Sequence, residues 1–496
     1  MSVINVQGTD IDFNISIKSA NLFDLETTGE SSTFNIDVGI ISYLEIEDNL
    51  VDTGLKGTIA LKNMYGIFDR IKALRDSSRT FFIDINFQDV KSNNRPTDKQ
   101  ISFLGLIENT SSLTADIVDD NIILRFEEAQ TAMLKKASLA KLPSHEYGKP
   151  ATPNSIIKQL IELWINNIVR RKAQESDLIA NELQSDILAS EESGLFDVNG
   201  NGVKGSIRSF WTEITDSIYD VINRAKRTML QENRKLSLLK IKNVEDKNKQ
   251  IKRVFTLGEL FTDQHREFIT AFVNKQPGNF SEVYGEEFVL SPQDNINPKN
   301  ASIYNEVESY NLVRADIKSA RESFWCDHQI VAHGESLNPV DLVKTSTPII
   351  PFSSIVDNFE ELDLGTDNRG NIFSNTPALR LSERKLMAIS TVDSEINSAE
   401  IIENQIYNKV KNSLIFLNDT IVFTVKGQVY RKPGVFISIT GGDVITDNND
   451  NILNNLWFVI SVKHKYKEMN YVTEISAVRL FGNQEKYSSL VQELVE

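Results

Sequence analysis

The asparagine-rich segment around residue 200 carries side chains that could bind calcium. Asp197, Asn199 and Asn201 occupy the first three ligand spacings of a calcium-binding loop, and Gly202 stands where such a loop turns sharply. The twelfth position should supply a bidentate Glu but is Arg208, whose charge would repel the ion. We therefore predict an exposed Asn/Gly turn here, with weak calcium binding as the alternative.

A second group of candidate metal ligands is Cys326, His328 and His333, in the segment FWCDHQIVAH. On an extended strand, Cys326 and His328 would face the same side. A zinc site needs four protein ligands, or three and a water. The chain has one cysteine, and His145 and His265 are isolated in the sequence. We therefore predict a structural cysteine with ordinary histidines, and expect no metal and no other cofactor.

The sequence has little to support enzyme chemistry. It contains no G-x-S-x-G, no H-E-x-x-H and no G-x-x-x-x-G-K-S/T phosphate loop. A thiol–imidazole pair is normally assembled from separate parts of a fold, so the closeness of Cys326 to His328 in sequence counts for little. His464, alone in the predicted strand VISVKHKY, is expected to be structural. We predict no catalytic residues and no enzyme activity.

Size and charge restrict the class of protein further. A chain of 496 residues suggests about two to four domains. Its net charge of −16 has the wrong sign for a protein that grips a nucleic-acid backbone, although it suits a surface that DNA passes without sticking. A single cysteine allows no internal disulfide, which fits assembly in the cytosol. The N-terminal segment MSVINVQGTDIDF is not typical of a signal peptide, and no membrane span is predicted.

Hydrophobic periodicity divides the chain into strand-rich ends and a mixed centre. Apolar residues alternate with a period of two between about 32 and 128, which predicts a small antiparallel barrel or sandwich. Amphipathic helices are predicted over 153–168 and 206–230, and strands return at 236–242 and 253–261. Proline-, serine- and asparagine-rich residues 346–390 predict a linker or extended arm.

The last hundred residues have the most distinctive pattern. An amphipathic helix is predicted from Ala399 to Leu414, followed by the strands IVFTVK, VFISI, LWFVISVKHKY and YVTEISAVRLFG. The first two strands are separated by a turn at Pro433-Gly434, where proline fixes φ and glycine permits the reversal. The domain boundaries predicted from these patterns are 1–130 for a barrel, 131–345 for a mixed α/β region that could help complete the barrels, 346–390 for the linker, and 391–496 for a second barrel with its leading helix.

The C-terminal pattern resembles the closing barrel of phage baseplate hub proteins, a family that includes the T-even hub, VgrG and late-control proteins. Segment 43–71 is similar to the first barrel of the same family, through its Thr-Gly pair and the short helix that follows. The residues that carry the resemblance are Thr53, Gly54, Pro433, Gly434, Trp457, His464, Tyr471, Thr473 and Arg479.

The resemblance implies an α+β fold in which two tail-tube-like antiparallel β-barrels flank a mixed helical and β middle region. It also implies a homotrimer whose six barrels form a pseudo-sixfold ring in the baseplate of a virion assembled in the host cytoplasm. The implied partners are a tail-tube or tube-initiator protein, a central spike and baseplate wedge proteins, with DNA only as passing cargo and no membrane insertion. Alternatives are a tube initiator or distal-tail component, a hub-associated cell-wall hydrolase, and a plain intracellular α+β binding protein.

Overall fold

A computed structural model gives the fold of the chain. The residues that it describes are 2–6, 9–20, 32–64, 66–76, 80–90, 95–108, 117–118, 121–136, 157, 160–161, 216–223, 226, 237–245, 249, 251–259, 264–265, 267–268, 271, 276–290, 304–313, 326–332, 349–350, 366–367, 370–371, 386–392, 420–440 and 456–478.

Strands dominate the described part of the chain. The N-terminal elements are β1 (Ser2–Val6), β2 (Thr9–Ala20), β3 (Ser32–Ile36), β4 (Ile41–Asn49), β5 (Lys56–Lys62), α1 (Ile67–Asp76), β6 (Thr80–Asp89), β7 (Gln100–Ile107), β8 (Ile117–Val118), β9 (Asn121–Glu128) and α2 (Ala129–Lys136), with 3₁₀ turns at Val38–Ile40 and Pro96–Asp98. The later strands are β10 (Ser237–Glu245), β11 (Ile251–Glu259), β12 (Tyr284–Leu290), β13 (Glu306–Val313), β14 (Cys326–Ala332), β15 (Ile349–Ile350), β16 (Thr366–Asp367), β17 (Gly370–Asn371), β18 (Leu386–Val392), β19 (Thr420–Lys426), β20 (Phe436–Thr440), β21 (Leu456–Lys467) and β22 (Asn470–Val478).

The N-terminal strands form one antiparallel sheet in the order β2–β6–β7–β9–β5–β4. Apolar residues alternate with polar ones along each strand, so the apolar side chains share one face of the sheet, which is buried. On β2 these residues are Ile11, Phe13, Ile15 and Ile17. Strands β1 and β3 occupy successive parts of the outer edge of β2, and β8 pairs with β9. β6 and β7 follow one another in the sequence and pair antiparallel, so they form a hairpin.

This sheet is rolled up, as two ring contacts demonstrate. Phe13 on β2 and Tyr466 on β21 are six strand steps apart in the sheet order, which would separate them by roughly 29 Å if the sheet were flat. Their ring centroids are instead 4.9 Å apart. Phe87 on β6 likewise meets Tyr471 on β22, at 5.0 Å. The sheet therefore curls around its own core, and Tyr466 and Tyr471 of the β21–β22 hairpin pack in that core.

The C-terminal strands close into a six-stranded barrel in the order β21–β20–β12–β13–β19–β22. The inward side chains form one apolar core, in which Trp457 and Phe423 are among the largest members. The Pro433-Gly434 turn leads into β20, as predicted. Together with the few helices, this barrel confirms the predicted α+β class with barrels.

Two strands of the C-terminal barrel come from the middle of the sequence. β12 pairs in parallel with both β20 and β13, so the barrel is antiparallel at only four of its six junctions. Parallel neighbours need a long connection between them. In the sequence, 15 residues separate β12 from β13, and β20 follows β12 much later in the chain.

The rolled N-terminal sheet, which we call the first barrel, shares strand β21 with the closed C-terminal barrel, which we call the second barrel. One edge of β21 pairs with β20 at Leu456–Phe458 and then with β4 over residues 461–467. The opposite edge of β21 pairs with β22 along its length. A single hydrogen-bonded sheet therefore runs from the first barrel into the second.

Other described elements lie outside the large sheet. β10 and β11 correspond to the strands predicted at 236–242 and 253–261, and they pair with each other as an antiparallel hairpin. β14 pairs with β15 and β18, and β16 pairs with β17, so short strands occur inside the segment predicted as a linker. The described positions of the predicted middle helices are buried on one face, at Ile157, Leu160, Ile161, Ile218, Val221 and Ile222. The predicted helix 399–414 lies outside the described residues.

Candidate functional site

The junction between the barrels gathers several of the motif residues. His464 lies on β21, where that strand passes between β4 and β22, and its register partners are Ile46 and Thr473. Its ring stacks on Tyr471, and its Nδ1 atom lies 2.7 Å from the Tyr471 hydroxyl. Both side chains are buried.

Burial determines the protonation state of His464. Desolvation lowers its pKa to about 4, although Asp48 and a hydrogen bond to the backbone of Arg431 act in the opposite direction. The neutral ring has one donor and one acceptor. Nδ1 therefore accepts from Tyr471, and Nε2–H donates to the Arg431 backbone. Burial likewise raises the pKa of the Tyr471 hydroxyl, so the pair is neutral near pH 7.

The tight packing of Tyr471 depends on a glycine. A Cβ atom at Gly427 would lie 2.1 Å from the ring of Tyr471. The Gly427 N–H donates to the Tyr471 carbonyl at 2.9 Å, and the Thr473 hydroxyl accepts from the Gln428 N–H at 3.2 Å. The turn after β19 is thereby fixed against β22.

A buried arginine follows in the same turn. Arg431 is 3% exposed, and its Nε donates to Glu286 on β12 at 2.8 Å. Its Nη2 donates to the Tyr304 carbonyl at 2.8 Å, and Nη1 donates to the Lys426 carbonyl. The guanidinium therefore ties β19 and the β19–β20 turn to β12 and to the residues before β13. The Tyr430 hydroxyl also donates to Glu286.

Sequence reasoning missed the pair of Arg431 and Glu286. The two residues are 145 positions apart, and the sequence does not show which strands of the mixed middle region complete the C-terminal barrel. The signal available was Arg431, two residues before Pro433, since a charged residue between strands that bury both faces needs a partner.

The Pro433-Gly434 turn is held from two sides. Gly434 has a φ of +82°, a conformation that L side chains rarely adopt. Its N–H donates to the Val459 carbonyl at 2.8 Å, and its carbonyl lies 2.9 Å from Nε2 of His265. Trp457, two residues before Val459, is fully buried in the barrel core.

The N-terminal motif residues Thr53 and Gly54 lie in the turn between β4 and β5. The Thr53 hydroxyl is 3.1 Å from the Tyr219 hydroxyl, and the Thr53 carbonyl accepts from the N–H of Ile241 on β10 at 2.8 Å. A Cβ at Gly54 would lie 2.9 Å from the carboxylate of Glu128. This turn is therefore the point where the β10–β11 hairpin meets the first barrel.

The outward face of the shared sheet carries an alternating row of charges. Successive strands β9, β5, β4, β21 and β22 place acid and base in register, as Glu127, Lys56, Glu47, Lys463 and Glu474. The Lys463 amine is 3.8 Å from the Glu47 carboxylate. The row spans the junction with little net charge.

Several candidate residues lie outside the described part of the chain: Asp197, Asn199, Asn201, His333 and Arg479. Cys326 and His328 lie on β14, paired in register with Leu386 and Ala388 of β18. Within the described residues, no group of three or more His, Cys, Asp or Glu side chains could hold a metal ion. Within the same residues, no helix is long and apolar enough to cross a membrane.

No protein-family model matches the sequence, and no curated protein matches it. Among solved structures, the chain is similar to the 43 kDa tail protein of prophage MuSo2 from Shewanella oneidensis, with a TM-score of 0.43, 10% identity and coverage of 95% of this chain and 99% of that one. It is also similar to a tail protein from Neisseria meningitidis MC58, with a TM-score of 0.42, 9% identity and coverage of 94% and 96%.

A third similar structure is a Francisella PdpA-VgrG complex, with a TM-score of 0.44, 12% identity and coverage of 96% of this chain and 53% of that one. Two of these similar structures are tail proteins, and the third is a complex that contains VgrG.

Proposed function

We propose that this chain is the structural hub of a contractile phage baseplate or of a related injection system. Three copies form a pseudo-sixfold ring that joins the tail tube to a central spike, and DNA or an effector passes through the ring. Its partners are a tube or tube-initiator protein, the spike and the baseplate wedge proteins. Its place is the tail of the virion, and its role is mechanical rather than enzymatic.

The observation that carries the proposal is the strand shared by the two barrels. Because β21 belongs to both, one chain presents two barrels that are locked together by backbone hydrogen bonds rather than by a flexible linker. A trimer of such chains presents six barrels in fixed orientation. That arrangement suits an adaptor between a sixfold tube and a threefold spike.

The charges of the chain agree with passage of a polyanion. A protein that holds DNA concentrates Lys and Arg at the contact. This chain has a net charge of −16, and the sheet face across its junction alternates in sign. Neither the net negative charge nor the alternating row of charges would bind a passing phosphate backbone.

The motif residues have structural roles in this proposal. Thr53 and Gly54 hold the β10–β11 hairpin on the first barrel, while Gly434, His464, Tyr471 and Thr473 fix the junction. We also propose the domain boundaries predicted from the sequence, with β12 and β13 assigned to the second barrel.

The test is the mass of the purified protein by light scattering, with negative-stain class averages from the same sample. Rings of three subunits around an open centre are expected. Rings of six identical subunits would instead indicate a tube initiator or a distal-tail protein. A monomer that persists at high concentration and in the presence of tail proteins would overturn the proposal.

A further inference from the structure

The segment that follows β19 is buried, although a connection between strands normally runs over the surface. It consists of residues 427–431, with the sequence GQVYR, which we call the buried turn. Gln428, Val429 and Arg431 are all buried. Val429 packs in the core of the first barrel, whereas β19 and β20 on either side of the turn belong to the second. At this turn the second barrel is therefore inserted into the first.

Two hydrogen bonds hold the start of the buried turn against β22. The Gly427 N–H donates to the Tyr471 carbonyl at 2.9 Å, and the Gln428 N–H donates to the Thr473 hydroxyl at 3.2 Å. The turn also lies directly against the Tyr471 ring, since a Cβ atom at Gly427 would be 2.1 Å from it. Any displacement of Tyr471 therefore disturbs the turn.

His464 holds the end of the buried turn. Its Nε2–H donates to the backbone of Arg431, and its Nδ1 accepts from the Tyr471 hydroxyl at 2.7 Å. Only the neutral ring can do both, because the protonated ring has two donors and no acceptor. Protonation would set an N–H against the hydroxyl that donates to the ring, and it would place a positive charge in a buried site.

The acidic groups that face this site do not offset such a charge. Asp48 on β4 raises the pKa of His464, but its carboxylate is already paired with the Lys240 amine at 2.8 Å. Asp89 on β6 acts on the Tyr471 hydroxyl, whose pKa it raises. Burial outweighs the attraction of Asp48, so the pKa of His464 is lowered to about 4.

The remaining neighbours also fail to stabilise a protonated ring. The Arg431 guanidinium lowers the pKa of His464, in the same direction as burial. Its partner Glu286 on β12 already accepts from Arg431 at 2.8 Å and from the Tyr430 hydroxyl. Thr473, the register partner of His464 on β22, is uncharged. His464 therefore stays neutral while the turn is in place, whereas a histidine in water takes up a proton near pH 6.5.

We propose that the buried turn is an acid-operated lock between the two barrels: it stays inserted in the first barrel while His464 is neutral and leaves it when His464 takes up a proton. The pairing of β21 with β4 and β22 persists, so the barrels remain joined by their shared strand. The inference goes beyond the hub proposal, because it concerns a junction within one chain.

Hydrogen exchange of the wild type tests the lock. The amides of Gly427 and Gln428 report release of the turn, because both donate to β22. Between pH 7.5 and pH 5.0, proton uptake by the released form should raise the opening equilibrium about 30-fold, after correction for intrinsic exchange rates. At pH 5.0 both amides should exchange about tenfold faster than the most protected amides of β2 and β6. Equal protection would mean that the turn leaves only when the whole chain unfolds, and the proposal would fail.

Two glutamine variants identify the histidine responsible. Glutamine has both a donor and an acceptor but does not titrate, so His464→Gln should keep the change in opening below about twofold over the same pH range. His265→Gln is the matched control, because His265 is also buried and its ring contacts the Gly434 carbonyl in the neighbouring turn. This control should retain the full rise. A full rise in His464→Gln, or its loss in His265→Gln, would overturn the proposal.

The pH dependence of the wild type gives a reading that needs no variant. The opening equilibrium should be constant above pH 6.5 and should then rise by up to about tenfold per pH unit as the pH falls, as expected for the uptake of one proton. A rise that begins only near pH 4.5 would assign the effect to carboxylates and contradict the lock. Single chains suffice for these measurements, so failure of the lock leaves the hub proposal standing, and failure of the hub leaves the lock standing.

Discussion

The carboxylate of Glu128 on β9 accepts two hydrogen bonds from the guanidinium of Arg253 on β11, at 2.8 and 2.7 Å. Glu128 is 2% exposed, and its Oε2 also accepts from the Leu55 N–H at 2.9 Å. This buried pair attaches the β10–β11 hairpin to the first barrel. A second link, from Lys240 to Asp48 at 2.8 Å, lies on the neighbouring strand of the hairpin.

Replacing Glu128 with Ala should strongly destabilise the fold. The substitution leaves Arg253 charged in a buried position and removes the acceptor of the Leu55 N–H. Breaking a buried pair in this way costs about 3 to 5 kcal/mol. Urea denaturation of purified protein measures the loss in the free energy of unfolding.

The matched control for this substitution is Glu282→Ala. Glu282 pairs with Arg95 where both side chains are about half exposed, so the loss should stay below about 1 kcal/mol. Equal losses in the two variants would contradict the role assigned to the buried pair.

Replacing Gly427 with Ala should push Tyr471 out of its position. The added Cβ would lie 2.1 Å from the ring, which is fixed between Phe87 and His464. Overpacking of this kind costs about 1 to 3 kcal/mol. Thermal unfolding followed by near-UV circular dichroism reports both the stability and the tyrosine environment.

Gly39→Ala serves as the comparison for the Gly427 variant. The nearest atom to a Cβ at Gly39 is 3.4 Å away, an ordinary contact. Its effect should stay within about 0.5 kcal/mol. A Gly427→Ala protein as stable as this control would show that the junction can expand around the ring.

Replacing Arg431 with Lys should destabilise the second barrel even though the charge is kept. A lysine amine is a compact donor and cannot reach Glu286, Tyr304 and Lys426 at once, as the planar guanidinium does. The acceptors left without a partner should cost about 2 to 4 kcal/mol in total. Chemical denaturation measures this loss.

Lys432→Arg makes the reverse change at the neighbouring position. Lys432 is about half exposed and pairs with Asp98, so its substitution should leave stability nearly unchanged. If both variants unfold at the same denaturant concentration, the planar guanidinium of Arg431 does not contribute to stability beyond its charge.

Stability should fall on acidification because of His464. Its pKa is about 4 in the folded protein and about 6.5 when unfolded, so the unfolded chain binds the extra proton first as the pH drops. The contribution of the neutral ring is complete above pH 6.5. It is lost progressively down to pH 4, by about 3 kcal/mol in all.

The measurement compares the free energy of unfolding of wild type and His464→Gln between pH 7.5 and pH 4.5. Carboxylates and His265 are common to both proteins, so their contributions cancel in the difference. The wild type should lose up to about 1.4 kcal/mol per pH unit more than the variant below pH 6.5. Parallel curves would mean that His464 titrates normally in the folded protein.

The sequence by itself determined the strands and their faces. The alternation of apolar and polar residues along a strand determines which side chains point inward, because successive residues of an extended chain face opposite sides. Ile437, Trp457 and Ile475 accordingly lie in the core. The chain reversal at Pro433-Gly434 could also be predicted from the sequence, because proline fixes φ and glycine permits a positive φ.

Only the tertiary structure decided which strands share a barrel. β12 and β13 join the second barrel from more than a hundred residues away, and Tyr466 and Tyr471 pack in the core of the first barrel although they lie on β21 and β22, two strands of the second. The partners Glu128 with Arg253 and Glu286 with Arg431 are just as remote in sequence. Local periodicity is set by bonds between neighbouring residues, whereas strand partners and buried ion pairs depend on which distant surfaces bury each other.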